Sequence, residues 1–145
     1  MESYYKQQLI LFRIIGYYLV LQAKDMRGKD HFAAALGIQL VEVRDGYAKV
    51  SMKVEKNHTN ALGFTHGGAI FSVADYAFAQ ACNFGDNVAV AVQVSINYLK
   101  PSVEGDVLTA EAVRFSDGKT TGLYHVTVKN GEKTVAFFSG LAFKK

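Results

Sequence analysis

Residues 60–83 read NALGFTHGGAIFSVADYAFAQACN, and the rest of the chain has to be arranged around them. Apolar residues fall at Ile70, Val73, Ala74, Ala77, Phe78, Ala81 and Cys82, the i, i+3, i+4, i+7 spacing of a helical stripe. The other faces carry Ala69, Phe71, Ser72, Tyr76, Ala79 and Gln80, so no face is charged enough for water. A helix of this kind is buried. Between Gly67 and Asn83 it holds a single carboxylate, Asp75. A buried carboxylate is costly unless it is paired or protonated. The residues three and four positions away are Phe71, Ser72, Phe78 and Ala79, none of them a cation. Asp75 is either bonded to backbone or to Gln80, or it is there to do chemistry. Spacing alone leaves both open.

The helix is preceded by Gly63-Phe64-Thr65-His66-Gly67-Gly68. The first N–H groups of a helix have no partner within it, and the dipole adds partial positive charge there. Two glycines leave those N–H groups unshielded, so a negative oxygen can approach. Gly67 and Asp75 are eight residues apart, about 12 Å along a helix axis. One chain cannot bring both to the same carbonyl. A two-fold pair with facing helices would place each Asp75 near the other chain's Gly67.

The chain has 145 residues, enough for one domain with a sizeable core. Its net charge of +3, with no dense Lys/Arg run, gives no footprint for nucleic acid. The single cysteine, Cys82, excludes an internal disulfide, permits a reducing compartment such as the cytoplasm, and falls on the apolar stripe as a core residue. Cysteine–histidine metal spacing is absent.

Residues 1–27 form an apolar extension, with Leu9 to Leu21 broken by Arg13 and Gly16. That run is short of the ~20 residues of a membrane span, so no stable membrane insertion is expected. Lys6 and Arg13 suit a secretory signal, but Leu21-Gln22-Ala23 is a poor cleavage site. The other readings are an additional helix packed on the domain, or a start assigned too early, with Met26 as the natural alternative. Residues 28–145 read as the folded unit. A short helix is expected at Asp30 to Ala35, then strands at Leu36 to Val43 and Tyr47 to Val54 joined by Asp45-Gly46. After the central helix, with Gly85 as its stop, come four β-rich runs: Val88 to Leu99, Val107 to Arg114, Thr121 to Lys129 and Lys133 to Phe143. Segregated helix and strands indicate an α+β fold with an antiparallel sheet wrapped around one long helix. Tyr98, Phe115, Tyr124, Phe137, Phe138 and Phe143 are assigned mostly to sheet packing.

Asn60-x-x-Gly63-x-x-His66-Gly67-Gly68, followed by Ala74-Asp75, resembles the hotdog-fold thioesterases, in the PaaI-like branch. The resemblance extends from Leu36 to Phe143 and includes Leu36-Gly37-Ile38 and Ser95-Ile96-Asn97-Tyr98-Leu99-Lys100-Pro101. It implies paired subunits, often a dimer of dimers, with active sites at the shared interface. It implies acyl-CoA thioesters as substrates, with no metal and no organic cofactor. Carried over, the Gly67 N–H polarises the thioester carbonyl, Asp75 from the partner subunit is the catalytic carboxylate, and Asn60 supplies an amide that positions carbonyl or water. Ala91 departs from relatives that carry a Ser or Thr there to hold water, which leaves nucleophile and general base both open for Asp75.

Other residues have weaker claims. His66 precedes a helix start, where positive charge is disfavoured, and is read as fixing the loop with a minor substrate contact. Gly68 is assigned mainly to close helix–sheet packing beside a place in the substrate site. Lys100, Arg114 and Lys119 are candidates by residue type for coenzyme A phosphates. His31, His58 and His125 are read as ordinary strand or loop residues. The rivals to a thioesterase are a hotdog hydratase, which needs an aspartate where Ala61 stands, and a non-catalytic acyl-CoA-binding module.

Overall fold

The computed structural model describes residues 30–144. What was expected of residues 1–27 lies outside them. The order is α1 (His31–Ala35), β1 (Gln39–Arg44), β2 (Tyr47–Lys53), a 3-10 turn (Lys56–His58), α2 (Gly67–Cys82), β3 (Ala89–Tyr98), β4 (Val107–Asp117), β5 (Thr121–Asn130) and β6 (Lys133–Lys144). The six strands form one antiparallel sheet in the order β1-β2-β4-β5-β6-β3. This is the α+β arrangement of a sheet curled about a single long helix.

Alternation along the strands makes the inner face. On β5, Gly122, Tyr124, Val126 and Val128 are buried while their neighbours are partly in water. With Val50, Met52, Leu108, Ala110 and Phe138 they face the stripe expected on α2, whose Ile70, Val73, Ala74, Ala77, Phe78, Ala81 and Cys82 are all buried. Phe78 stands edge-on to Tyr124 at 5.5 Å and tilted to Phe138 at 5.7 Å. Gly140 on β6 makes room for it: a Cβ there would come within 3.0 Å of the Phe78 ring. Burying a side chain of this size contributes about 1.5–3 kcal/mol.

Two expectations need correction. Leu36 does not open β1. It closes α1, whose end is tied by Leu36 N–H to Phe32 O, Gly37 N–H to Ala34 O and Ile38 N–H to Ala33 O, so the strand starts at Gln39. The end of α2 falls at about Asn83, as expected: Asn83 is the C-cap, its side chain donates to Ala79 O and Ala89 O and accepts the Ala89 N–H, and Gly85 just beyond takes a positive φ of 62°. Among the aromatic residues assigned to packing, only Tyr124 and Phe138 are buried. Tyr98, Phe115, Phe137 and Phe143 are exposed, with Phe115 stacked on His125 at 4.6 Å. Alternation sends half of each strand's side chains to the face away from the helix.

Strand β3 is a sheet edge. Among the described residues it pairs with β6 on one side only, and Val90, Val92, Tyr98 and the following Leu99 are exposed. No helix among the described residues is long and apolar enough to cross a membrane.

Candidate active site

The segment before α2 is tied down strand by strand. Thr65 N–H donates to Ser102 O at 2.8 Å, the Ser102 hydroxyl donates to Thr65 Oγ1 at 2.7 Å, and His66 N–H donates to His58 O at 2.7 Å. His66 then serves as the N-cap of α2: its Nδ1 accepts the Gly68 N–H at 2.8 Å. An accepting Nδ1 puts the ring proton of the neutral imidazole on Nε2. The Gly67 N–H has no hydrogen-bond partner among the described residues. The Gly67 carbonyl accepts from the Tyr98 hydroxyl at 3.1 Å, which fastens the first turn of the helix to β3.

The two glycines therefore have roles opposite to those expected of packing. A Cβ on Gly67 would meet the Tyr98 ring at 3.3 Å, whereas one on Gly68 would meet His66 Nδ1 at 3.0 Å. Gly67 packs on the sheet; Gly68 keeps space for the histidine cap.

A cavity of about 560 Å³ lies between α1 and the neighbouring face of α2. Phe32, Ala33 and Leu36 wall it on one side, Ala69, Phe71 and Ala79 on the other. The polar groups on the wall include Asp75, Asp30, His58, His66 and Ser72. Asp75 is half-buried and makes no hydrogen bond among the described residues, to backbone or to Gln80. Burial pushes its carboxyl above the usual aspartate range, and the negative charge of Asp30 adds to that. The same two causes raise the phenol of Tyr76, the next residue on the helix. An unbonded carboxylate with raised basicity facing an apolar cavity is equipped to take a proton from water or to attack a carbonyl carbon.

Of the residues singled out in the sequence, Asp75, His66 and Gly68 come together on this wall. Gly67 faces Tyr98 instead, on the side of α2 next to the open edge strand. Asn60 stands in the preceding loop, where its Oδ1 accepts from Leu62 N–H at 2.9 Å and Phe64 N–H at 3.2 Å. Its oxygen thus holds the turn, and its amide NH₂ end is the part that remains to donate. Lys100 is exposed just past β3. Arg114 is bound to the β1–β2 turn, with both Asp45 oxygens at 3.0 and 2.8 Å and Asp117 at 3.8 Å.

Two wall residues were missed. Asp30 sits at the N-cap of α1, accepting the Ala33 N–H at 2.8 Å, and reads in the sequence only as the first residue of the expected short helix. His58 was read as an ordinary loop residue. It is 4% exposed, its Nδ1 accepts the Glu55 N–H at 3.0 Å, and its Nε2 has no partner among the described residues. A buried donor without an acceptor costs about 1–3 kcal/mol. No spacing rule exposes either residue, because the cavity exists only once α1 folds over α2.

Residues 62–137 match the family model described as the thioesterase superfamily. Acyl-coenzyme A thioesterase PaaI of Escherichia coli K12 is 43% identical over 119 residues, 81% of this chain and 85% of that protein. The solved structure of the E. coli PaaI protein superposes with a TM-score of 0.84 at 39% identity, covering 90% of this chain and 95% of that one. A Streptococcus mutans protein solved bound to acetyl CoA superposes with a TM-score of 0.71 at 33% identity, covering 74% of this chain and 88% of that one.

Proposed function

The chain belongs to the thioesterase superfamily, and from that premise we propose that it hydrolyses acyl-coenzyme A thioesters to the free acid and coenzyme A. The observation that carries the reading is Asp75, a carboxylate of raised basicity with no hydrogen bond among the described residues, on the wall of an apolar cavity. The acyl group takes the apolar space. Water attacks the thioester carbon, and Asp75 receives its proton; in the covalent variant Asp75 itself attacks and water then opens the anhydride. The carbonyl oxygen becomes negative as the C–O bond forms, and the Gly67 N–H donates to it. The C–S bond breaks, and the leaving thiolate ends as the thiol of coenzyme A. The amide of Asn60 steadies the carbonyl or the water.

Asp75 and Gly67 open toward different sides of α2, so the partner subunit supplies one of them to each site. The unpaired, apolar edge of β3 supports pairing with a second copy, since an exposed edge of this length invites another strand. Exposed Phe115, Phe137 and Val113 on the outer sheet face suit a further contact between two such pairs, giving a dimer of dimers. His66 and Gly68 touch the substrate from the cavity wall. Lys100 is the better cation for the coenzyme A phosphates, because Arg114 already has Asp45 and Asp117 for partners. Coenzyme A as substrate and a single cysteine fit a cytoplasmic enzyme.

A thiol-release assay over a panel of acyl-CoAs tests the reading. Catalytic release of thiol that disappears in Asp75→Asn supports it. Tight binding of acyl-CoAs with no thiol released would make the chain a binding module instead.

A further inference from the structure

Asp30 belongs to the same cavity as Asp75, although it lies forty-five positions earlier and on a different helix. Its orientation is set by the α1 cap, through the bond from Ala33 N–H to Oδ1. Among the described residues, the titratable groups that line this cavity with Asp75 are Asp30 at the start of α1, His58 from the 3-10 turn, His66 from the N-cap of α2 and Tyr76 from α2 itself. Among the described residues, no Lys or Arg lines this cavity beside the two carboxylates. His58 lines the same cavity from the 3-10 turn, with its Nε2 buried and without a partner among the described residues.

We propose that Asp30 is a positioning residue for the hydrolysis: fixed as the cap of α1, it lines the same cavity as Asp75 and acts on that carboxylate through its charge. This rests on the reading of Asp75 as the reacting carboxylate. A like charge nearby disfavours ionisation of a second carboxyl. The effect reaches two neighbouring groups on α2, since both Asp75 and Tyr76 are pushed upward by Asp30. Asp30 is itself exposed to water, so the coupling is modest and is weakened by salt. The short helix α1 thus does two things with one side chain: the capped helix walls the cavity, and the capping carboxylate tunes the acid within it.

The test uses the full chain and two variants, Asp30→Asn and Asp30→Ser. Both retain a side-chain oxygen able to cap α1 while removing the charge. Two quantities are followed: the titration of Asp75 by carboxyl-carbon NMR, and the pH dependence of kcat and KM for acyl-CoA hydrolysis. In both variants the Asp75 midpoint moves down by a few tenths of a pH unit, and the acid limb of kcat follows it. On that limb a variant is then about twofold faster than the wild type, and on the plateau somewhat slower, because a weaker base accepts a proton less readily. KM is unchanged. Raising the ionic strength moves the wild-type midpoint toward that of the variants and leaves theirs in place. An Asp75 midpoint identical in wild type and variants overturns the proposal. A midpoint that moves while the acid limb of kcat stays put removes Asp30 from the reaction too, and the fault then lies with Asp75 as the reacting group.

Discussion

His66 Nδ1 accepts the N–H of Gly68 at 2.8 Å, and this bond decides which of two adjacent glycines keeps an available N–H. With the cap on Gly68, the donor left at the start of α2 is that of Gly67, the first helical residue. Proline is tolerated at that position, and His66 at φ −61°, ψ 137° already has the extended conformation that a following proline demands. Gly67→Pro therefore deletes one N–H and leaves the helix in place. Its ring would crowd Tyr98, but so would the methyl group of Gly67→Ala, since both carry a Cβ at that spot. The alanine variant is expected to lose little activity. The proline variant is expected to fall a further ~10²–10³-fold in kcat, the usual worth of one oxyanion donor. Equal rates for the two would take the Gly67 N–H out of the reaction.

If each site joins Asp75 of one subunit to Gly67 of the other, two dead variants repair each other. Asp75→Asn and Gly67→Pro homodimers each lack one group at both sites. A mixed dimer has one site with both groups missing and one with both present. Co-refolded, separately tagged chains purified as the mixed species should recover about half of the wild-type kcat per dimer, the fraction set by two-fold symmetry. A mixed species as inactive as its parents would mean that the groups act within one chain.

Asp75→Asn should also change stability with a definite sign. Burial and Asp30 raise the folded-state pKa of Asp75 above its ordinary 3.8. Over the pH range between those two values the folded protein holds a proton that the unfolded chain has released, so stability falls as pH rises through the range. The amide cannot ionise and escapes that penalty. The variant should unfold at the same denaturant concentration as wild type well below pH 3.8, and at a higher one near neutrality. At the same time kcat should drop by about 10²–10⁴-fold, the range for loss of a general base. An Asn variant less stable than wild type at neutral pH would show that the carboxylate has a stabilising partner in the assembled protein.

The fold was legible where local pattern and burial agree. The seven apolar positions of α2 were read from their spacing, and all seven are buried. Asp45-Gly46 and Asn130-Gly131 located two tight turns between paired strands, because Gly46 and Gly131 take the positive φ values, 70° and 57°, that other residues avoid. What the pattern did not show depends on distant pieces of chain meeting. Gly140 looks like a weak point in a strand until Phe78 is seen to occupy the space above it. Arg114 reads as a surface cation available to phosphate until the Asp45 turn folds beside it. Asp30 reads as the start of a short helix until α1 lies against α2. The site in the sequence was a helix with two marked residues; the cavity itself belongs to the tertiary structure.

Asn60 has two separable parts, and two substitutions tell them apart. Its Oδ1 accepts from Leu62 and Phe64 N–H, closing the loop that leads into His66. Asn60→Ala removes both bonds, and at roughly 0.5–1.5 kcal/mol for each it should lower stability by about 1–3 kcal/mol. Asn60→Asp retains an oxygen acceptor for the same two N–H groups, so it should unfold close to the wild-type denaturant midpoint. What it lacks is the NH₂ donor, and it adds a negative charge where a carbonyl oxygen becomes negative. A positioning amide predicts that Asn60→Asp loses at least as much kcat as Asn60→Ala despite its better stability. A pure loop residue predicts the opposite ranking, with the aspartate variant near wild type in both respects. Measuring kcat and the urea midpoint on the same preparations decides which part of the side chain the reaction uses.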